Sequence, residues 1–319
     1  MEDKLVSIII PTYKRAYRLD KAVNSVLSQS YLNIEIIVVD DNNDGDEYRY
    51  ETEKLMKTFE NNSKVRYIKH SVNKNGSAAR NTGIATARGF YIAFLDDDDI
   101  FFNDKIEKQI RILESNEDYA AVCCAHISQY KQYIYKKNIL KKYPDGNYLT
   151  SLLSGENILA AGSTLLIKKS VVEDLKGFDE SFRRHQDWEF LTRFFRNYKM
   201  KILNENLVSI NVDGERNYPE ASRFYEIKMS FLDLFKNDID RLGEENKKKI
   251  YNYQIKEIIL VFWKQGKFNE GIKIANKYKN YFKINLSFLI IAIYSIMEYK
   301  LPFMNPLKYK LMSLKYWRR

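Results

Sequence analysis

The sequence predicts an α/β domain, a mostly parallel sheet with helices on both faces, followed by a helical C-terminal region. Three observations predict it. Over the first 130 residues, apolar runs of strand length alternate with segments whose apolar residues recur at helical spacing, the pattern of repeated βαβ units. Polar residues follow the strand-like runs, as PTYKR, DDNND and DDDD, so three separate segments bring charge to one edge of the sheet. After residue 219 the strand-like runs stop and the charge balance changes. Residues 220–319 hold 20 of the 52 Lys+Arg but 10 of the 42 Asp+Glu, which accounts for the whole net charge of +10.

The elements follow in order. LVSIII (5–10) is an apolar, β-branched run closed by Pro11, which has no N–H for a ladder. YRLDKAVNSVLSQ (17–29) sets Leu19, Ala22, Val23, Val26 and Leu27 at helical spacing. IEIIVVDD (34–41) reads as strand, EYRYETEKLMKTFE (47–60) as helix and VRYIKH (65–70) as strand. SAARNTGIATAR (77–88) reads as a helix with Ser77 placed to cap it. FYIAFL (90–95) is strand, DKIEKQIRILES (104–115) is a helix capped by Asn103 or Asp104, and AAVCCAHI (120–127) is strand. Beyond 130 the pattern loosens: STLLIKK (163–169) is a strand, 177–198 a loop entering a helix, and 202–212 a strand or two. Helices are expected at 220–238, 244–265, 268–282 and 286–298.

Composition narrows the function classes. Of 319 residues 45% are hydrophobic, with 12 Gly and 5 Pro, which gives a real core and leaves little room for disordered linkers. Cys123 and Cys124 are adjacent, so on a strand they point to opposite faces and form neither a disulfide framework nor a zinc site. MEDKLVSIIIP is acidic and its apolar run ends within a few residues, unlike a signal peptide. These features read as a reducing, cytoplasmic setting. INLSFLIIAIYSIM (284–297) is ~21 Å long as a helix, short of a ~30 Å hydrocarbon core. It is either a core helix of a small bundle or an interfacial helix beside the basic tail KYKLMSLKYWRR. The basic excess suits an anionic partner.

The stretch FYIAFLDDDDIFF sets four carboxylates, Asp96 to Asp99, between two apolar segments. Two carboxylates ~4 Å apart at an effective dielectric of ~20 repel by about 4 kcal/mol. A divalent cation among them offsets that cost, since hard oxygen ligands suit Mg²⁺ or Mn²⁺. The alternative is a solvated loop whose last Asp caps the next helix.

Taken in order, VSIIIPTYKRAYRLDKAVNSVLSQSYLNIEIIVVDD, NKNGSAARNTGIATARGFYIAFLDDDD and GFDESFRRHQDWEFLTR resemble the successive motifs of family 2 glycosyltransferases with the GT-A fold. The resemblance covers residues 4 to 215. It implies a GT-A catalytic domain over 1–217, with a nucleotide-sugar half over 1–100 and an acceptor half over 101–217. Residues 218–319 are then a basic helical region. Pro11, Thr12, Tyr13 and Arg15 would line the nucleotide site, and Asp41 would take the base N–H. The chemistry agrees, for a Tyr ring stacks on a base and a carboxylate accepts an N–H. From the residues alone, a strand-end loop and a turn cap account for them equally well. Arg80 would clamp the diphosphate, as a guanidinium near a helix N-terminus can; a surface arginine is the plainer reading.

The resemblance further implies that Asp96 and Asp98 hold Mn²⁺ or Mg²⁺, with Asp98 the direct ligand, and that Asp96 and Asp97 also belong to the nucleotide site, Asp97 near the ribose. Asp187 would be the catalytic base, ionised at neutral pH as an ordinary carboxylate is. As a helix N-cap it has a structural reading too. His185, Gln186 and Trp188 would line the acceptor cleft, with Gln186 standing where the family often has Glu. The implied activity is inverting transfer of a hexosyl or N-acetylhexosaminyl group from a UDP-sugar to a lipid-linked saccharide in bacterial surface polysaccharide synthesis. Contact with an anionic membrane at its cytoplasmic face, a homo-oligomer through the C-terminal helices and no nucleic-acid partner complete the expectation. Two rivals share the sheet: a nucleotidyltransferase, which needs a Gly-rich loop that PTYKRAY lacks, and a non-catalytic saccharide-binding scaffold.

Overall fold

The computed structural model describes residues 4–130, 133–138, 140–142, 145–156, 162–212 and 219–300. The expected domain boundary near 217 and the tail 301–319 lie outside them, as does part of the loop between 130 and 165. The chain forms two compact units. The first gathers the described residues of 1–129, 136–147 and 159–212; the second those of 130–135, 148–158 and 213–319.

In chain order the first unit runs β1 (Val6–Thr12), α1 (Ala16–Leu27), β2 (Ile34–Asp40), α2 (Glu47–Met56), β3 (Val65–Lys69), α3 (Gly76–Thr86), β4 (Tyr91–Phe94), β5 (Ile100–Phe101), α4 (Lys105–Ser115) and β6 (Tyr119–Tyr130). β7 (Tyr133–Lys137), divided between the two units, and α5 (Leu149–Leu153), which belongs to the second, precede the first unit's β8 (Leu165–Lys168), α6 (Lys169–Asp174), α7 (Gln186–Asn197) and β9 (Lys199–Asn211). One sheet holds the strands in the order β3-β2-β1-β4-β8-β6-β9-β5, with β7 paired to β6 off that path. β3, β2, β1 and β4 are mutually parallel, and β6 is parallel to β9. β8 is antiparallel to both β4 and β6, and β5 to β9. The alternation of the first 130 residues thus marked the parallel part. The antiparallel members come from pairings distant in sequence.

β1 and β2, in the middle of the sheet, are buried on both faces, which is why they read as near-continuous apolar runs. α1 packs through Leu19, Ala22, Val23 and Val26, and α4 through Ile106, Ile110 and Leu113, in one core with Ile8, Ile10, Val38 and Leu95. Each Leu, Ile or Val among them contributes roughly 1.5–3 kcal/mol by leaving water. α3 lies so close to β1 that a Cβ on Gly83 would sit 2.4 Å from Ile9 Cγ2. Glycine there lets the helix bearing Arg80 settle at the strand ends. The cap of α3 is Asn75, not Ser77: at φ 85° its side chain accepts from the N–H groups of Ser77 and Ala78.

The second unit is helical: α8 (Ala221–Leu234), α9 (Lys236–Arg241), α10 (Glu244–Lys264), α11 (Phe268–Lys277) and α12 (Leu286–Lys300). The helix expected over 220–238 is two, parted at Phe235. Ile255, Ile259, Phe262 and Trp263 of α10 pack with Phe224, Ala275, Phe288 and Ala292 in a core of their own.

Candidate active site

Beyond the carboxyl ends of the parallel strands lies a cleft of about 320 Å³. That is the lower end of the usual range of ligand sites, roughly 300–1,000 Å³. It is lined by Pro11, Thr12, Tyr13 and Arg15 after β1, Asp41 after β2, Asn73, Asn75, Gly76, Ala79 and Arg80 on and before α3, and Asp96 and Asp97 after β4. All eight residues expected at the nucleotide therefore meet in one cavity. Asp98, His185, Gln186, Asp187 and Trp188 are not among its lining. The sequence reading missed Asn73, Asn75 and Gly76, although the turn-forming NKNG before a helix was a usable signal.

The four aspartates have four different surroundings. Asp96 is the most open and pairs with Arg80, Oδ1 to Nη2, at 2.6 Å. Asp97 is fully buried; its Oδ2 accepts from Thr12 Oγ1 at 2.7 Å and from the Tyr13 N–H at 3.4 Å. Its Oδ1 lies 3.1 Å from Arg15 Nε yet accepts no directed hydrogen bond. Burial, against the pull of Arg15 and Thr12 and with the push of Asp98 and Asp96, drives the Asp97 carboxyl up to about 7. Asp98 turns to Arg15, Oδ2 to Nη1, at 2.6 Å, with Arg18 at 3.9 Å; burial raises its pKa despite Arg15. Asp99 does not cap the next helix. It accepts from Ser163 Oγ at 2.5 Å and the Asn211 N–H at 3.1 Å, and burial with repulsion from Asp96 raises its pKa well above the usual carboxylate range.

Arg80 joins two halves of the site. One arm holds Asp96, and Nη1 donates to Gln186 Oε1 at 3.2 Å, reaching the first residue of α7. Its buried Nε has no hydrogen-bond partner. Asp187 follows in the first turn of α7, half-buried, with Oδ1 accepting from the Trp188 N–H at 3.0 Å. The expected ordinary pKa is corrected here: burial raises it, against the Trp188 N–H and the nearby Arg80 guanidinium. His185 precedes the helix at φ 57°, its ring 5.4 Å from that of Trp188.

Two unsatisfied buried atoms therefore face different needs. Asp97 Oδ1 is an acceptor suited to a ribose hydroxyl, and Arg80 Nε a donor suited to a phosphate oxygen. Among the described residues no three His, Cys, Asp or Glu side chains are grouped to hold a metal unaided. Mg²⁺ characteristically takes one or two carboxylates and completes its shell with phosphate oxygens and water, so an acidic run of this kind fits such a cation.

The architecture has counterparts among solved structures. S. aureus TarS 1–349 in complex with UDP-GlcNAc matches at a TM-score of 0.60 and 15% identity, over 86% of this chain and 91% of that one. That likeness places the fold among the GT-A glycosyltransferases. The sequence is more specific, matching the family described as Glycosyl transferase family 2 over residues 7–176. An uncharacterised glycosyltransferase of Rickettsia prowazekii is 30% identical over 276 residues, 85% of this chain and 83% of that protein. The amylovoran biosynthesis glycosyltransferase AmsB of Erwinia amylovora is 23% identical over 276 residues, 84% of this chain and 87% of that protein. The chain belongs to glycosyl transferase family 2 and is a glycosyltransferase.

Proposed function

We propose that this enzyme transfers a sugar from a UDP-sugar to a saccharide acceptor, with inversion at the anomeric carbon, in bacterial polysaccharide synthesis. The observation that carries this reading is that Asp97 Oδ1, beside Arg15 Nε but accepting no hydrogen bond, and the unpartnered Arg80 Nε belong to residues that line one cleft at the ends of three strands. One matches a nucleotide's ribose and the other its diphosphate. TarS, in its UDP-GlcNAc complex, and AmsB, named for amylovoran biosynthesis, support the donor class and the product class. Family membership favours this over a nucleotidyltransferase or a scaffold.

In the reaction, Tyr13 takes the base beside the 73–75 loop that Asp41 holds, Asp97 the ribose, and Arg80 the diphosphate. Asp187 accepts the proton of the acceptor hydroxyl as its oxygen bonds to the anomeric carbon. The bond from that carbon to the diphosphate breaks, and the electron pair leaves with UDP. Asp96 and Asp98 would hold Mn²⁺ or Mg²⁺, which when bound screens the charge growing on the leaving diphosphate. With one base and direct displacement, no covalent sugar–enzyme bond forms. His185, Gln186 and Trp188 lie next to the base and are assigned to the acceptor side. We extend the proposal to a lipid-linked acceptor reached at an anionic membrane surface.

The test is incubation with a panel of nucleotide sugars and Mn²⁺, following slow donor hydrolysis. Release of UDP from one UDP-sugar supports the reading; a panel that stays intact, with no nucleotide bound, overturns it. A product that retains the donor's anomeric configuration by NMR would remove the single-displacement mechanism.

A further inference from the structure

Asp41, assigned above to the base, has no lone pair to spare. Its Oδ1 accepts from His70 Nδ1 at 2.7 Å and the Lys74 N–H at 2.8 Å. Its Oδ2 accepts from Asn73 Nδ2 at 2.8 Å and the Asn75 N–H at 2.9 Å. An ionised carboxylate offers about four such sites, and this chain fills them all. Three of the four donors belong to the 73–75 loop, which lines the cleft and carries the cap of α3. The fourth is His70, buried at the end of β3.

His70 has a second bond, from Nε2 to Thr82 Oγ1 at 2.8 Å. Because the Asp41 oxygens facing it only accept, Nδ1 carries the proton of that bond, while Nε2 shares its hydrogen bond with a Thr82 hydroxyl that can either give or accept. Thr82 lies two residues beyond Arg80 on α3. The imidazole thus ties the base end of the cleft to the helix that bears the phosphate clamp. No contact of His70 with the cleft itself is needed for this.

We propose that His70 is a positioning residue for donor binding, holding Asp41 and the 73–75 loop in register with α3 so that base and diphosphate are gripped together. The inference rests on the reading of this cleft as the nucleotide site. A group that acts only on donor binding moves KM and leaves turnover at saturating donor nearly unchanged.

The experiment is calorimetric titration of the full chain with UDP and Mn²⁺, with donor KM and kcat, for His70→Ala, His70→Asn and His70→Gln. An Asn amide nitrogen falls near Nδ1 and keeps the bond to Asp41; a Gln amide falls near Nε2 and keeps only the Thr82 side. His70→Ala should weaken UDP binding by about tenfold to a hundredfold, the size of a lost hydrogen bond to a charged group. KM should rise in step and kcat should change less than about threefold. His70→Asn should restore most of the affinity and His70→Gln little. If the alanine variant does not fold, Thr82→Val, which removes one hydroxyl, should still raise KM. Unchanged UDP affinity in a folded His70→Ala, or a lowered melting temperature with unchanged KM, overturns the proposal alone. Wild-type protein that binds no nucleoside diphosphate overturns both this and the donor reading.

Discussion

Burial makes the acidic run responsive to pH. Asp97 has a native pKa near 7 against ~3.9 in an unfolded chain, so between those values the native state binds the extra proton. Its contribution to stability is complete below the unfolded value and is lost as pH rises through about 7. Thermal melts of the ligand-free protein should therefore fall between about pH 4 and about pH 7 and lose no more on this account above that, and Asp97→Asn should flatten that fall while weakening UDP binding. A variant with the wild-type slope would show that Asp97 titrates normally. Asp187 makes a separate prediction. Asp187→Asn should keep donor binding and lose transfer by several orders of magnitude, since the base acts in the transition state. The acid limb of the wild-type rate profile should lie above the ordinary carboxylate range, following the raised pKa. At this scale the sequence showed which residues carry charge at the sheet edge, but not their partners. Ser163 and Asn211, which hold Asp99, lie 64 and 112 residues from it. Asp41 shows the same limit, for nothing in IEIIVVDD announces that His70 and the 73–75 loop would fill its lone pairs.

Elements place those residues, and here periodicity was informative where both faces of a strand are buried. β1, β2 and β4 were readable because parallel strands under helices are apolar throughout. β5 was not: its two residues, Ile100 and Phe101, read as an apolar wall, and they form a strand only because Ser209 and Val208 of β9 pair with them. The cap of α3 falls two residues before the expected Ser77: both are favoured N-cap types, and Asn75 takes the role at a positive φ of 85° that the sequence does not announce. The approach of α3 to β1 gives a prediction of its own. Gly83→Ala adds a Cβ 2.4 Å from Ile9 Cγ2, so the helix must shift or Ile9 must leave its rotamer, at about 1–3 kcal/mol. Arg80 would move with the helix. The variant should melt lower and bind UDP more weakly; a lower melting temperature with intact UDP affinity would mean that α3 absorbs the strain without moving its clamp.

At the scale of the whole molecule, the second unit holds the excess charge and an unexplained apolar face. α12 buries Phe288 and Ala292 within its own unit's core, with Ile296 partly covered beside them. Leu286, Ile290, Ile293 and Met297, spaced by four, three and four residues, share the opposite face and are 74%, 60%, 59% and 50% exposed. At 15 residues this helix is ~22 Å long, and no described helix is long and apolar enough to cross a membrane. The chain beyond it, residues 301–319, has five basic residues and no acidic one. An apolar helical face next to such a segment suits an anionic bilayer, where each basic residue near the surface is worth about 1 kcal/mol within a Debye length of roughly 8 Å. The protein should co-sediment with anionic vesicles at low salt and be released at high salt. Ile290→Asp with Ile293→Asp, or deletion of 301–319, should each weaken that binding. A protein that stays in the supernatant at low salt uses this face for packing instead, and a dimer that the paired aspartates dissociate would identify a second copy as its cover.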